Sequence, residues 1–171
     1  METKYTILEG NRVLIENLSN RSIIYRNFAG RKEQYNPNGQ RKFTIVINPD
    51  DAQMLASHGW NVKIKPPKNE GDDPFCTLEV KIRLDLDWAK PKIKQFSRTG
   101  VVGITEDNIA NFDQAEFEKV DIVLRQYVWT NMKGETGVSA QLSEMNAKLA
   151  QGVLDAKWAE EEGPGEDDMP F

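Results

Sequence analysis

The sequence predicts a mainly β domain, a small barrel or sandwich with one well-marked helix. Three observations carry that expectation. Several runs alternate apolar and polar residues with period two, turn-forming residues separate them, and one stretch has a full set of helix start and stop signals. Successive side chains of a strand point to opposite faces, so a strand with one buried face shows that burial as an alternation in the sequence. Many short strands joined by turns bury their apolar faces by closing into a barrel or stacking as two sheets.

Arg21 to Phe28 and Lys42 to Asn48 are β-rich runs, joined by a loop containing Asn36-Pro37-Asn38-Gly39. Asn-Gly is a tight-turn signal because both residues tolerate positive φ. The helix follows at once. Asn48 can cap it, Pro49 suits its first position, and Asp50 and Asp51 complement its N-terminal dipole. Met54 and Leu55 supply an apolar face, Gly59 offers a left-handed stop, and Trp60 reads as a packing plug beside it. Asn61 to Lys65 alternates again, with Val62 and Ile64 inward and Lys63 and Lys65 outward.

Phe75 to Leu84 is the clearest strand. Cys76, Leu78, Val80, Ile82 and Leu84 share one face, and Thr77, Glu79, Lys81 and Arg83 share the other. Lys119 to Asn131 sets Val120, Ile122, Leu124 and Val128 against Asp121, Val123, Arg125, Tyr127 and Trp129. Gly134 and Gly137 end that strand and start another near Val138. Residues 140–158 fit two periods, Leu142, Met145, Leu149 and Val153 a helix and Val138, Ala140 and Leu142 a strand. The expectation there is strand first, then helix or linker from about Ala147.

The chain has 171 residues with 22 basic and 27 acidic side chains, a net charge of −5 that is unevenly spread. Six of the acids (Glu160, Glu161, Glu162, Glu166, Asp167, Asp168) fall after residue 159 with no Lys or Arg among them, which leaves 22 basic against 21 acidic in the body. The charge therefore describes a near-neutral globule with an acidic tail. Residues 1–150 are expected to form one domain and residues 151–171 a linker and disordered acidic tail. No apolar run reaches the roughly 18–20 residues that span a bilayer, and the start, Met1-Glu2-Thr3-Lys4-Tyr5, lacks the basic-then-apolar order of a secretory signal. A cytoplasmic location is the expectation.

Catalytic constellations are thin. His58 is the single histidine and sits at the end of the helix, where its positive form favours the dipole, so its role reads as structural. Cys76 is the single cysteine, which forbids an internal disulfide, and it falls on an inward strand face, where a thiol is inert. Asp85 and Asp87 make an acid-x-acid pair, but no third carboxylate at a defined spacing joins them, and a solvated strand exit explains them better than a metal site. The chain has no glycine loop for phosphate and no glycine-flanked serine nucleophile. No enzyme, cofactor or metal is expected.

Binding of a polyanion has more support. Residues 21–43 carry Arg21, Arg26, Arg31, Lys32, Arg41 and Lys42 against Glu33 alone, interleaved with Tyr25, Phe28, Tyr35 and Phe43. Residues 88–98 carry Lys90, Lys92, Lys94 and Arg98 with Trp88 and Phe96 and no acid. Lys63, Lys65, Lys81 and Arg83 occupy outward strand faces, and Arg125, Tyr127 and Trp129 share a face opposite the core-facing aliphatics, with Val123 beside them. Single-stranded nucleic acid calls for this mixture. Cations track phosphates, and flat rings stack on unpaired bases for about 1–3 kcal/mol each without demanding a sequence. A Lys-rich strand face is equally the signature of plain solvation, and Phe28 and Phe43 at strand spacing also suit a core.

The tail ends in Asp167-Asp168-Met169-Pro170-Phe171. A purely electrostatic tail has no use for an apolar, rigid, aromatic terminus. These residues read as a peptide ligand: Phe171 enters an apolar pocket, its carboxylate meets a basic residue, and the acids steer association.

That terminus resembles the tail tip of bacterial single-stranded DNA-binding proteins, with Met169 where Ile or Leu is usual. The body resembles a different group, the phage-encoded single-stranded DNA-binding proteins with an OB-fold. The matching stretches are Ile24 to Gly30, Asn36 to Phe43, Gly59 to Lys63, Val120 to Trp129 and Gly137 to Ala140, which together span roughly residues 10–145. The resemblance implies a five-stranded Greek-key barrel with extra strands or hairpins and one or two short helices. It implies a groove that holds single-stranded DNA with little sequence preference during phage replication and recombination, in the cytoplasm of the host cell. The tail implies recruitment of replication, recombination or repair proteins.

The expected stacking residues are Tyr25, Phe28, Trp88, Phe96, Tyr127 and Trp129, with the last two foremost. The expected phosphate contacts are Arg21, Arg26, Arg31, Lys32, Arg41, Lys42, Lys63, Lys65, Lys81, Arg83, Lys92, Lys94, Arg98 and Arg125. The alternatives are an OB-fold module that binds protein without physiological DNA, and an RNA-binding protein. Monomer and homodimer both stay open.

Overall fold

The computed structural model describes residues 2–151. Ten strands and one α-helix follow in chain order: β1 (Lys4–Leu8), β2 (Arg12–Leu18), β3 (Ile23–Asn27), β4 (Arg41–Ile47), α1 (Pro49–Ser57), β5 (Lys63–Lys65), β6 (Phe75–Ile82), β7 (Lys92–Ser97), β8 (Gly100–Gly103), β9 (Phe117–Thr130) and β10 (Thr136–Leu149). Short 3-10 turns lie at Asn20–Ser22, Asp87–Ala89 and Ile109–Asp113. The hydrogen-bonded order β1-β2-β9-β10-β6-β4-β3 makes one open path, with β5 on β6 and the β7–β8 hairpin on the far half of β10. Pairing is antiparallel except where β10 meets β6 and β7. This is the mainly β, OB-like architecture the sequence predicts.

Alternation places the core. Val13 and Ile15 of β2, Phe43, Ile45 and Ile47 of β4, Leu78, Val80 and Ile82 of β6, and Val120, Ile122 and Leu124 of β9 are buried in one cluster. β10 holds its phase through a bulge. The register shift between Leu142 and Glu144 takes up one residue, so Met145 and Ala147 stay buried after Ala140 and Leu142. Four phenylalanines close one end of the cluster. Phe28 stacks on Phe43 with centroids 5.1 Å apart, Phe112 meets Phe28 edge-on at 5.5 Å, and Phe117 meets Phe112 edge-on at 5.3 Å. Contacts of this kind add about 0.5–1.5 kcal/mol each beyond the area they bury.

The helix follows its signals. Asn48 Oδ1 accepts the Asp51 N–H at 2.9 Å, Leu55 and Ala52 are buried, and Gly59 takes φ +91°. His58 closes the helix with Nδ1 2.9 Å from the Met54 carbonyl, and Trp60 is buried against it. Gln126 of β9 donates to the His58 carbonyl at 2.8 Å and so ties the helix end to the sheet. Cys76 is buried, and that burial pushes its thiol pKa up, as an inert core cysteine requires.

Four local expectations need correction. Ile64 is exposed rather than inward, because β5 is a three-residue edge strand paired only with β6, and all three of its residues face solvent. Val128 shares the phase of Leu124 but is 65% exposed, because the β9–β10 hairpin projects past the core at that point. Gly137 lies within β10; the turn belongs to Gly134, at φ +82°. Ala147 to Leu149 continue β10 instead of starting a helix or linker, held by pairing with β9 and β7. The expectations for residues 152–158 and for the acidic tail lie outside the described residues.

Candidate nucleic-acid interface

On its outer face the sheet carries a groove of about 530 Å³, crossing β4, β6, β9 and β10. A smaller hollow of about 170 Å³ adjoins it, sharing Lys81, Trp129 and Ser139. Strand phase builds both. Val80 and Ile82 turn inward, so Lys81 and Arg83 turn outward. On the hairpin, Trp129 pairs with Gly137, Tyr127 with Ser139 and Arg125 with Gln141, and Gln141 in turn pairs with Lys81 of β6. One row of side chains thus runs across three strands.

The two rings are half in and half out, Tyr127 41% and Trp129 37% exposed. Trp129 lies directly over Gly137. A Cβ at 137 would overlap the six-membered ring of the indole, so the absent side chain is what lets the ring lie flat on the strand.

Charges in the groove are partly spoken for. Arg83 donates twice to Asp85, at 3.0 Å each, and this fork lowers the Asp85 pKa while raising that of Arg83. Arg41 donates to the Phe28 carbonyl at 2.6 Å and stands 3.8 Å from Glu106. Lys42, on the same sheet face, pairs with Glu79 at 3.5 Å. Among the described residues, Lys63 and Lys81 have no acidic partner.

Arg125 is half-buried in the groove floor. Its guanidinium donates to Gln141 Oε1 at 3.3 and 3.4 Å and to the Ala89 carbonyl at 3.0 Å. It therefore clips the Asp87–Ala89 turn, which presents Trp88 at 71% exposure, to the groove. Gln141 itself is 3% exposed, a buried amide satisfied by that arginine.

The expected site residues divide accordingly. Arg41, Lys81, Arg83, Tyr127 and Trp129 line the groove, Lys63 lines the adjoining hollow, and Arg125 lies beneath. Lys65 extends the exposed edge of β5. Lys92, Lys94 and half-buried Phe96 sit on β7, with Arg98 at the turn that follows, outside the groove lining. Arg21, Arg31 and Lys32 are exposed beside β3, and Arg31 stands 3.4 Å from Glu33 and 3.7 Å from Asp113.

Two expectations fail outright. Phe28 has no exposed surface and stacks within the core, so no base can reach it. Arg26 spends its guanidinium on the carbonyls of Ile23, Phe112, Ala115 and Asn20 and on Asn20 Oδ1, over the ring of Phe117, which leaves it no fork for a phosphate. Asp85, exposed at the strand exit as expected, spends both oxygens on Arg83.

Sequence reasoning missed Ser139, Gln141 and the polar rim at Asn38 and Gln40. Small polar residues on strands carry no pattern of their own. Only the pairing register brings Gln141 beneath Arg125.

Residues 9–168 match the family model described as a phage ssDNA-binding domain. The single-stranded DNA-binding protein of bacteriophage Enc34, solved in complex with ssDNA, is 9% identical with a TM-score of 0.53, over 89% of this chain and 94% of that one. A second structure of the single-stranded DNA-binding protein of bacteriophage Enc34 is 9% identical with a TM-score of 0.50, over 88% of this chain and 91% of that one. The bacteriophage T7 protein gp2.5, a single-stranded DNA-binding protein, is 14% identical over 95% and 98%, and its TM-score of 0.40 is too low to argue from. No curated protein sequence matches. At such identities the solved structures speak to the fold, and the family model, spanning most of the sequence, speaks to kinship: the chain belongs to the phage ssDNA-binding domain family.

Proposed function

We propose that this protein binds single-stranded DNA along the groove between β4, β6, β9 and β10, without catalysis. The observation that carries the reading is the placement of two half-exposed rings, Tyr127 and Trp129, beside two cations that lack acidic partners among the described residues, Lys63 and Lys81. Rings stack on bases of any identity, and cations follow the backbone, so binding has little sequence preference. Membership in the phage family and likeness to the Enc34 protein, whose structure holds ssDNA, support the same ligand. Arg83 and Arg41 join the phosphate contacts when a phosphate displaces Asp85 or Glu106.

The protein acts in phage DNA replication and recombination, covering exposed strands. Its terminus, Asp167-Asp168-Met169-Pro170-Phe171, recruits replication, recombination or repair proteins, with Phe171 as the apolar anchor. Titration of intrinsic tryptophan fluorescence with oligo-dT tests the first part. Quenching that weakens with added salt is expected, and unquenched emission at low salt with excess oligo-dT would overturn it. For the tail, a variant lacking residues 167–171 is expected to bind DNA and to lose capture of host replication proteins. Equal capture by both forms would remove the recruitment role.

A further inference from the structure

Among the described residues, three other than glycine take a left-handed backbone: Asn11 at φ 57°, Asn17 at φ 64° and Tyr25 at φ 51°. Asparagine tolerates that region, because its short amide bonds locally. Tyrosine does not, since its Cβ crowds the following carbonyl. Nor is the conformation offset by burial of the ring, which is 74% exposed. Gly or Asn at this position would fold more easily. The chain nevertheless holds an aromatic ring in solvent there.

The bulge and its anchors explain how. Between the pairs Ile24–Thr44 and Asn27–Lys42, β3 has two residues, Tyr25 and Arg26, where β4 has only Phe43. Arg26 turns away and is fixed by five hydrogen bonds, to Ile23, Phe112, Ala115 and twice to Asn20, with Phe117 4.8 Å beneath its guanidinium. Desolvation lowers the Arg26 pKa from its ordinary value, so a half-buried anchor describes it better than a surface cation. Two residues on, Asp113 accepts the backbone N–H groups of Phe28 at 2.6 Å and Ala29 at 3.2 Å. A residue pinned on both sides keeps an unfavourable backbone that it would otherwise relax, and such over-determined strain collects at binding sites.

We propose that Tyr25 is a second stacking platform for the same single strand, outside the groove, and that Arg26 is the positioning residue that holds it out. This rests on the groove reading above. The connection from β3 to β4 links the two places. Gly39, Gln40 and Arg41 form part of the groove rim, and the stem of Lys32 passes close to Gly39. A strand leaving the groove over that rim reaches the β3 edge, where exposed Arg21 and Lys32 offer cations. Because the Tyr25 backbone is already fixed, stacking there costs little ordering.

The test uses the full chain with Tyr25→Gly, Tyr25→Asn and Arg26→Lys, each measured for thermal unfolding and for affinity to two oligo-dT lengths. OB-fold sites cover about 4–16 nucleotides, so oligomers of about 4 and about 16 separate groove binding from binding that reaches beyond it. Tyr25→Gly is expected to raise Tm by about 2–4 °C as strain is released. It is also expected to weaken binding of the long oligomer at least ~5-fold and leave the short one unchanged. Tyr25→Asn shows the same length-selective loss. Arg26→Lys lowers Tm and shows that loss too, and the Arg26→Lys/Tyr25→Gly double variant loses no more than either alone. A purely structural Arg26 would lower Tm without length selectivity.

Wild-type affinity for the long oligomer in the Tyr25 variants, or a lower Tm for Tyr25→Gly, overturns the proposal while the groove stands. Equal loss on both lengths places Tyr25 in the groove and overturns it as well. Failure of the wild type to bind either oligomer overturns the groove reading itself, and this proposal with it.

Discussion

Trp129 rests on Gly137, and that contact offers a way to move the ring without removing it. Gly137→Ala adds one methyl group where the indole now lies, so the ring must swing off the strand. If Trp129 stacks on a base, the loss is that of one stacking contact, about 1–3 kcal/mol, or roughly 5- to 150-fold in affinity. Trp129→Ala is expected to lose the same amount. The double variant is expected to lose no more, because both changes act through one ring, and sites that share an interaction are not additive. Stability is a built-in control. The hairpin here lies beyond the core, next to exposed Val128, so unfolding should shift by no more than about 0.5 kcal/mol. Fluorescence anisotropy of labelled oligo-dT measures the affinity directly, independent of the tryptophan removed. Unchanged binding by Gly137→Ala with a normal unfolding curve would refute the reasoning, as would losses that add in the double variant.

Three further outcomes are expected. Asp85→Asn frees Arg83 from its carboxylate, so oligo-dT binding should tighten and its logarithmic salt slope steepen by about 0.7. Because Arg83 holds the Asp85 pKa down, the wild type makes the same gain only as pH falls below the usual carboxylate range; a salt slope unmoved in Asp85→Asn would rule the displacement out. Phe28→Ala removes a fully buried ring from the four-phenylalanine stack, and chemical denaturation should register a loss of about 3–5 kcal/mol; a loss under 1 kcal/mol would contradict the packing described. If the six acids after residue 159 compete with DNA for the basic groove, deleting residues 160–171 should tighten oligo-dT binding at low salt; equal affinity would end that reading.

The strands most legible in the sequence are those with one wet and one buried face. β6 reads residue by residue from Cys76 to Ile82, because neighbouring strands cover its inner face alone. α1 reads equally well, since its cap, first proline and left-handed glycine are local chemistry. The β1–β2 hairpin carries only a short alternation at Val13 and Ile15 around a Gly10-Asn11 turn, and its role is set by pairing with β9, distant in sequence. β5 misleads, since Ile64 has the right phase but no partner surface.

At the site, Tyr127 and Trp129 are legible because they oppose the Val120, Ile122 and Leu124 face. Arg26 and Phe28 are not. Both sit in a basic–aromatic cluster, yet the bulge in β3 and the turn at Ile109–Asp113 draw them inward. Composition identifies a cationic, aromatic segment, and only tertiary contacts decide which of its members face the solvent. The same holds for Arg125, whose fork is taken by Gln141 and Ala89.

The central claim is that single-stranded DNA lies on the outer face of β4, β6, β9 and β10. Ultraviolet cross-linking of the full chain to oligo-dT, with the attached peptides mapped by mass spectrometry, tests it most directly. Attachment is expected at Tyr127 and Trp129, reduced by competing unlabelled strand and by salt. Attachment confined to the β7–β8 hairpin around Phe96, with none on the β9–β10 hairpin, would contradict it.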